Sequence, residues 1–149
     1  MKQNAPRLMT VEEYLHSDFE HDFDYVDGRL EERDIGESDH ATIQAQLIFW
    51  LKAHDLEWNT RTRPELRVQV SPTRFRVPDV CVTLRDEPVE QIQHRPPLIC
   101  IEVRSPESTV SRLREKLADY HRMGVPHVWL IDPAPRVGYV CTEQGWNEP

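Results

Sequence analysis

The order of helix and strand patterns in this sequence predicts an α/β protein with a mixed sheet. Apolar residues at helical spacing mark two long helices, and the segments between and after them have the alternation or the continuous apolar character of β-strands. The resulting order is helix, strand, strand, strand, helix, strand, and the second helix is long enough to connect two parallel strands. Because 149 residues is a usual length for one domain, we expect a single domain over residues 1–149.

The N-terminal part of the chain predicts a short helix followed by a β-hairpin. Thr10 and Glu13 have the spacing of a capping box, in which each side chain satisfies a backbone amide at the start of a helix. We expect this helix to end near Ser17. Asp27-Gly28 then separates two short alternating segments, and this dipeptide is typical of a two-residue hairpin turn.

The first core helix is predicted from Ser38, as its N-cap, to about His54. Its apolar residues recur at helical spacing and comprise Ile43, Leu47, Trp50 and Leu51. Two antiparallel strands are predicted next, over 64–70 and 75–84, joined by the turn at Ser71-Pro72-Thr73.

The second half of the sequence predicts the centre of the sheet. Residues 98–103 form a continuous apolar run, as in a strand that is buried on both faces. A helix over 107–123 is predicted to end at Gly124, which suits a left-handed helix terminus. Further strands are predicted at 127–131 and, at the edge of the sheet, at 137–142.

The composition argues against several classes of protein. No segment has the roughly 18 consecutive apolar residues that a membrane span needs, and the first residues lack the apolar core of a secretory signal. The three cysteines form no CxxC pattern, so we expect free buried thiols and a cytoplasmic location. The net charge of −8 disfavours general coating of nucleic acid.

A cluster of arginines is the exception to this acidic composition. Two pairs in it have matching strand parity: Arg61 with Arg63, and Arg74 with Arg76. Side chains of one parity lie on one sheet face, from which these arginines would contact DNA phosphates. A solvated strand edge that is protected by charges predicts the same pattern, so both alternatives stay open.

Three charged residues occur in unusually apolar surroundings. Asp79 and Glu102 each lie within a predicted buried strand, where an acid has to be paired, bound to a metal or placed at an exposed strand end. Lys116 falls on the apolar stripe of the second core helix, where a lysine either snorkels to solvent or takes part in chemistry. The chain has 15 arginines and three lysines, which weakly favours a role that needs a compact ammonium group.

These residues in this order resemble the PD-(D/E)XK, or restriction-endonuclease-like, superfamily. More closely, the chain resembles the Uma-two family, a bacterial group of predicted nucleases. The matching segments, in order, are Met9 to Tyr14, Tyr25 to Gly28, His40 with Ile43, Val77 to Val80, Ile101 to Val103, Ser105-Pro106, Lys116 with Tyr120, and Val128 to Pro133. The resemblance implies a restriction-endonuclease-like core (α-β-β-β-α-β, with a mixed central sheet flanked by helices) after an N-terminal helix and β-hairpin.

The resemblance also implies a site and a reaction. Asp79 and Glu102 would bind Mg²⁺ or Mn²⁺ together with the carbonyl oxygen of Val103 and water. The family motif usually has a lysine two residues after the second acid, where this chain has Arg104. Arginine stays protonated, so the resemblance assigns the lysine role to Lys116, which would orient the attacking water or stabilise charge on the phosphate.

Four further residues are accessory candidates on the same grounds. Glu37 and His40 lie at the start of the first core helix, Asp24 precedes the hairpin turn, and Tyr120 accompanies Lys116. A helix cap, a turn acid or a surface histidine also explains the first three, and we favour these structural explanations.

Three functional hypotheses follow for the whole chain. The leading one is a metal-dependent endonuclease that hydrolyses DNA, and the complete set of Asp79, Glu102 and Lys116 favours it. The first alternative is a catalytically inactive nuclease-fold protein that binds nucleic acid or protein, and the second is an acidic interaction domain whose buried charges are ion pairs. Because members of the superfamily often pair to cut two strands, we also expect a homo-oligomer.

Overall fold

The computed structural model describes residues 8–17, 23–33 and 37–149. Its helices are α1 (Val11–Leu15), α2 (Ser38–Ala53), α3 (Asp55–Trp58) and α4 (Val110–Met123). Its strands are β1 (Asp24–Val26), β2 (Arg29–Glu31), β3 (Thr60–Pro64), β4 (Val68–Ser71), β5 (Arg74–Arg76), β6 (Val80–Leu84), β7 (Ile99–Val103), β8 (His127–Asp132), β9 (Val137–Thr142) and β10 (Gly145–Asn147). That the whole chain is one domain stays a prediction.

The strands of the described residues form two sheets. The larger has the order β10-β9-β8-β7-β6-β3, and within it β7 and β8 are parallel while the other neighbours are antiparallel. Helix α4 connects the two parallel strands, so the predicted mixed sheet and its crossover helix are confirmed. The smaller sheet has the order β2-β1-β5-β4 and is antiparallel throughout.

The two long helices cover opposite faces of the larger sheet. Leu51 of α2 packs with Ile101 of β7 on one face, and Leu117 of α4 packs with Cys100 of β7 on the other. Neighbouring residues of β7 therefore alternate between the two helices, as the side chains of a strand must. The order α2, β3, β6, β7, α4, β8 confirms the predicted core.

The predicted N-terminal elements are present with a shorter helix. The Thr10 hydroxyl accepts the Glu13 N–H at 3.1 Å, but α1 ends at Leu15 rather than near Ser17. The hairpin turn at Asp27-Gly28 is confirmed. Both residues have positive φ, 49° and 94°, which is the conformation that a two-residue turn of this type requires.

The helix boundaries differ in detail from the predicted ones. Ser38 is the first residue of α2 rather than its cap; the N-cap residue is Glu37, whose side chain makes no capping hydrogen bond. Helix α4 begins at Val110 instead of 107 because the Thr109 hydroxyl caps it. Gly124, with φ of 100°, ends α4 as predicted. The short helix α3 was not predicted.

The predicted antiparallel pair joined by the turn at 71–73 is confirmed as β4 and β5, but the predicted bounds of 64–70 and 75–84 are wrong. The first region contains the end of β3 and then β4, separated at Glu65, whose φ of 53° turns the chain. The second contains β5 and β6, which belong to different sheets. Pro78 explains this break, because proline has no N–H for a ladder hydrogen bond. Asp79 therefore lies where the chain passes from one sheet to the other.

The C-terminal edge of the larger sheet also differs from the prediction. Strand β9 is not an edge strand, because β10 pairs with it through a two-residue turn and places Trp146 opposite Cys141. The three cysteines are free and buried, as predicted. None of the described helices is both long and apolar enough to cross a membrane.

A buried arginine joins the smaller sheet to α4. The Arg76 side chain is 1% exposed, and its Nε lies 2.8 Å from the Asp119 carboxylate of α4. Its Nη1 lies 2.8 Å from Glu31 and 3.4 Å from Asp24, which are on the hairpin strands. This guanidinium therefore links the hairpin to α4, together with Arg74, which pairs with Asp27 of the hairpin turn and Asp119 of α4.

Replacing Arg76 with methionine should lower the free energy of unfolding by about 3–5 kcal/mol, because it leaves buried carboxylates without their counter-charge. Urea denaturation measures the loss. The control is Arg29→Met on the neighbouring strand, an exposed position where the change should stay within about 0.5 kcal/mol. A loss below about 1 kcal/mol for Arg76→Met would contradict this role of the arginine.

Candidate active site

The ends of β6 and β7 bring the two predicted acids together. The antiparallel register pairs Val80 with Ile101, so the next pair along the strands is Asp79 beside Glu102. Both face α4 and line a cleft of about 100 Å³ between α4, the hairpin and α2. The lining of this cleft includes Asp24, Arg33, His40, Asp79, Glu102, Val103, Arg112 and Lys116.

Asp79 is held by three donors. One carboxylate oxygen accepts the Val103 N–H at 2.7 Å and lies 3.3 Å from His40 Nε2, and the other accepts a hydrogen bond from Arg33 Nη2 at 3.0 Å. Burial by itself would raise the pKa of Asp79. The hydrogen bond with His40 and the charge of Lys116 outweigh burial and lower this pKa to about 2. Asp79 is therefore an anion at neutral pH.

The pKa of Glu102 is shifted in the opposite direction from that of Asp79. Its Oε1 accepts a hydrogen bond from the Tyr120 hydroxyl at 2.7 Å and lies 3.2 Å from Lys116 Nζ. Burial, together with the negative charges of Asp79 and Asp24, outweighs these contacts and raises the pKa of Glu102 to about 8. The carboxyl group therefore takes up a proton or a cation readily.

Lys116 reaches the two acids from α4. Its Nζ donates to the Val77 carbonyl oxygen at 3.1 Å and lies 3.2 Å from both Asp24 and Glu102. The side chain is 13% exposed, so it does not snorkel to solvent. Burial would lower its pKa, but the charges of Asp24 and Glu102 raise it, and the ammonium stays protonated.

The accessory candidates divide into two groups. Asp24 contacts Lys116, His40 contacts Asp79, and Tyr120 contacts Glu102. Asp24 also accepts the Val77 N–H at 2.9 Å, which fixes the hairpin beside the cleft. Glu37 is exposed and lines a different groove, beside Arg104 and Asp132.

The residue at the usual lysine position of the family motif does not line the cleft. Arg104 Nη1 lies 3.3 Å from the Asp132 carboxylate, at the end of β8. The lysine that lines the cleft is Lys116 of α4, the residue to which the resemblance assigns the lysine role. Its catalytic role stays a prediction.

The four arginines predicted to face DNA do not share one sheet face. Arg61 and Arg63 lie on β3 at the edge of the larger sheet, and Arg74 and Arg76 lie on β5 in the smaller one. Arg74 is paired with carboxylates of the hairpin turn and α4, and Arg76 is buried among others. We therefore assign no nucleic-acid role to Arg76, and for Arg61, Arg63 and Arg74 such a role stays a prediction.

The sequence analysis missed two polar residues that contact Asp79. Arg33 contacts Asp79, and Gln44 Nε2 donates to the Asp79 backbone carbonyl at 3.0 Å. Gln44 lies four residues after His40, so helical spacing could have identified it as a neighbour on the same side of α2. Arg33 follows the hairpin directly, and nothing in the local pattern distinguishes it from other surface arginines.

The donor set fits a hard divalent cation. No group of three or more His, Cys, Asp and Glu side chains in residues 8–17, 23–33 and 37–149 is arranged to hold a metal. Mg²⁺ sites, however, commonly use one or two carboxylates and complete the shell with water. Asp79, Glu102 and the Val103 carbonyl oxygen offer such oxygen ligands. Burial is the main cause of the raised pKa of Glu102, the negative charges of Asp79 and Asp24 add to it, and a bound cation would offset these effects.

Comparison with known proteins agrees with the geometry. Residues 11–148 match the family model Uma2, described as "Putative restriction endonuclease", which is the Uma-two family named above. No protein of curated function matches the chain. A similar solved structure is that of "a putative nuclease belonging to DUF820" from Anabaena variabilis, with a TM-score of 0.82 and 21% identity over 93% of this chain and 83% of that one. At this identity, the likeness shows the fold.

In metal-free buffer, the free energy of unfolding should fall as pH rises from about 4.5 to about 8. The folded pKa of Glu102, about 8, exceeds its ordinary value of 4.5, so the folded state binds more protons in this window and loses stability as they leave. Glu102 contributes a slope of at most about 1.4 kcal/mol per pH unit.

Chemical denaturation at several pH values measures this slope, which Glu102→Gln should flatten. Glu107→Gln, which changes an exposed acid of the same cleft, should leave it unchanged. An equal slope in wild type and Glu102→Gln would rule out this explanation.

Proposed function

The chain belongs to the Uma2 family, and from this membership and the geometry of its cleft we propose that it is a metal-dependent endonuclease that hydrolyses DNA phosphodiester bonds. One observation carries the proposal. Three charged residues converge on one cleft: Asp79 just before β6, Glu102 on β7 and Lys116 on α4. The lysine ammonium lies 3.2 Å from the Glu102 carboxylate.

We assign Mg²⁺ or Mn²⁺ to Asp79, Glu102 and the carbonyl oxygen of Val103. A cation bound there would lower the pKa of a coordinated water and offset the charge of the phosphate. Asp79 supplies a permanent negative charge, whereas Glu102 is held by the Tyr120 hydroxyl. This hydrogen bond fixes the orientation of the carboxylate that faces the substrate.

Lys116 acts in this proposal through its positive charge. Because it stays protonated, it cannot serve as a general base at neutral pH; it orients the attacking water and stabilises the negative charge that develops on the phosphate. Asp24 has a positioning role, since it holds the ammonium at 3.2 Å independently of Glu102. The Lys116 ammonium would therefore stay in place when Glu102 binds a metal ion.

The remaining cations at the cleft suit an anionic substrate. Arg33 and His40 contact Asp79, and Arg112 lines the cleft from the first turn of α4. We propose that Arg33 and Arg112 bind phosphate oxygens, since a guanidinium matches them in geometry. These local charges would offset the repulsion between DNA and a chain of net charge −8.

A nuclease-fold binding protein is the second candidate function. It is favoured by the fact that each acid already has cationic or hydrogen-bonding partners within the chain, Arg33 and His40 for Asp79 and Lys116 and Tyr120 for Glu102. Such a cleft is electrostatically balanced without a metal. In both cases we propose a cytoplasmic homo-oligomer, and the three free cysteines support the reducing location.

Purified protein should cut supercoiled or single-stranded DNA in the presence of Mg²⁺ or Mn²⁺, and EDTA should abolish the cutting. Asp79→Asn, Glu102→Gln and Lys116→Met should each reduce the rate by at least about 10²-fold, the usual effect of losing one preorganised charge or donor. Gel assays of initial rates measure these changes.

The matched control is Glu32→Gln, which changes an exposed acid of the same cleft and should keep nearly full activity. Cutting that survives all three site variants would show that another site or a contaminant is responsible. Folded wild-type protein that binds DNA without cutting it in either metal would support the binding-protein candidate instead.

A further inference from the structure

The outer side of α2 and α3 exposes large apolar side chains. The exposed fractions are 79% for Phe49, 56% for Trp50, 85% for Leu56 and 44% for Trp58. The inner side of α2 is apolar too, and its Leu47, Ile48 and Leu51 pack on the larger sheet. A surface helix normally exposes polar residues to solvent, whereas the side of α2 that no other described residue covers carries Phe49 and Trp50 among alanines and a few polar residues.

The exposed aromatic residues are already ordered. Trp50 and His54 have ring centroids 4.7 Å apart, and the rings of His54 and Trp58 stack at 4.3 Å with an interplanar angle of 12°. Rings fixed in this way lose little conformational entropy when a partner covers them. Tryptophan is also the residue type most enriched among energetically dominant interface positions.

We propose that this surface joins two copies of the chain in a two-fold symmetric dimer. We call it the α2 face and define it as Ala41, Thr42, Ala45, Gln46, Phe49, Trp50, Lys52, Ala53, Leu56 and Trp58. The proposal is independent of the nuclease activity, because the α2 face includes no residue of the cleft.

The area of the α2 face suits a dimer of this kind. The exposed parts of its four large apolar side chains amount to on the order of 500 Å², judged from the 150–250 Å² that such aromatic side chains bury. A patch of this size is at the upper limit for a monomer. Exposed alanines lie between the large residues and would bring one side of the interface to the roughly 800 Å² of a stable complex.

The α2 face is also complementary in shape to a second copy of itself. Phe49 lies four residues from Ala45 and from Ala53, so this large side chain has a small neighbour on either side along the helix. When two such helices cross about a two-fold axis near Phe49, the phenylalanine of each copy meets the alanines of the other. This arrangement is an isologous interface with side chains packed between those of the facing helix.

The charges at the α2 face support a second copy over a basic or acidic partner. Its edge carries Lys52 and, one turn further along, Glu57, both exposed. This part of the surface is therefore nearly neutral, although the chain as a whole has a net charge of −8. Two copies can therefore approach each other at this surface without strong electrostatic repulsion.

Sedimentation equilibrium of the full chain tests the proposal. Wild type should show twice the chain mass of 17.6 kDa. Phe49→Glu and Leu56→Glu should each raise the dimer dissociation constant at least about 30-fold, as expected for a central interface residue, without changing the thermal midpoint of the monomer. Val110→Glu alters an exposed apolar residue at the start of α4, on the opposite face of the larger sheet, and should leave the dimer intact.

Cross-linking provides a second measurement that does not weaken the interface by charge. Because the natural cysteines are buried, Phe49→Cys should form a disulfide-linked dimer under mild oxidation, whereas Val110→Cys should not. A wild-type chain that stays monomeric at all concentrations, or a dimer that persists in both glutamate variants, would overturn the proposal. The oligomer assay and the cleavage assay are separate, so either proposal can fail without the other.

Discussion

The site depends on burying three carboxylates around one ammonium group. Asp24, Asp79 and Glu102 are almost fully withdrawn from water, and Lys116 lies 3.2 Å from two of them. Burial raises the pKa of Glu102, and repulsion from Asp79 and Asp24 raises it further. One lysine cannot balance three acids, so the rest of the site has to supply further donors and cations, or a metal has to bind.

The topology of the chain brings the donors and cations that the buried carboxylates need to one place. The Pro78 break moves the chain from the smaller sheet to the larger one and leaves Asp79 at the junction. Helix α2 approaches Asp79 from one side with His40 and Gln44, and α4 approaches from the other with Lys116 and Tyr120. Arg76 then fixes the hairpin that carries Asp24 against α4. The smaller sheet is thus a structural part of the cleft.

The sequence predicted the core and the main site residues because both have local signatures. Runs of apolar residues marked β7 and β8, and a charged residue within such a run drew attention to Glu102. Long-range pairing has no such signature. Arg74 and Arg76 looked like a basic surface, yet the acids that neutralise them come from the hairpin and α4. The split of 75–84 between two sheets and the contact of Arg33 with Asp79 were missed for the same reason.

The central claim is that the paired carboxylates bind one divalent cation. Titration of the metal-free protein with Mn²⁺, followed by the loss of its free-ion electron paramagnetic resonance signal, tests this claim without requiring turnover. We expect one Mn²⁺ ion per chain in wild type, little or no binding in Asp79→Asn and Glu102→Gln, and retained binding in Glu32→Gln. Absence of binding in folded wild type, or binding that both site variants retain, would contradict it.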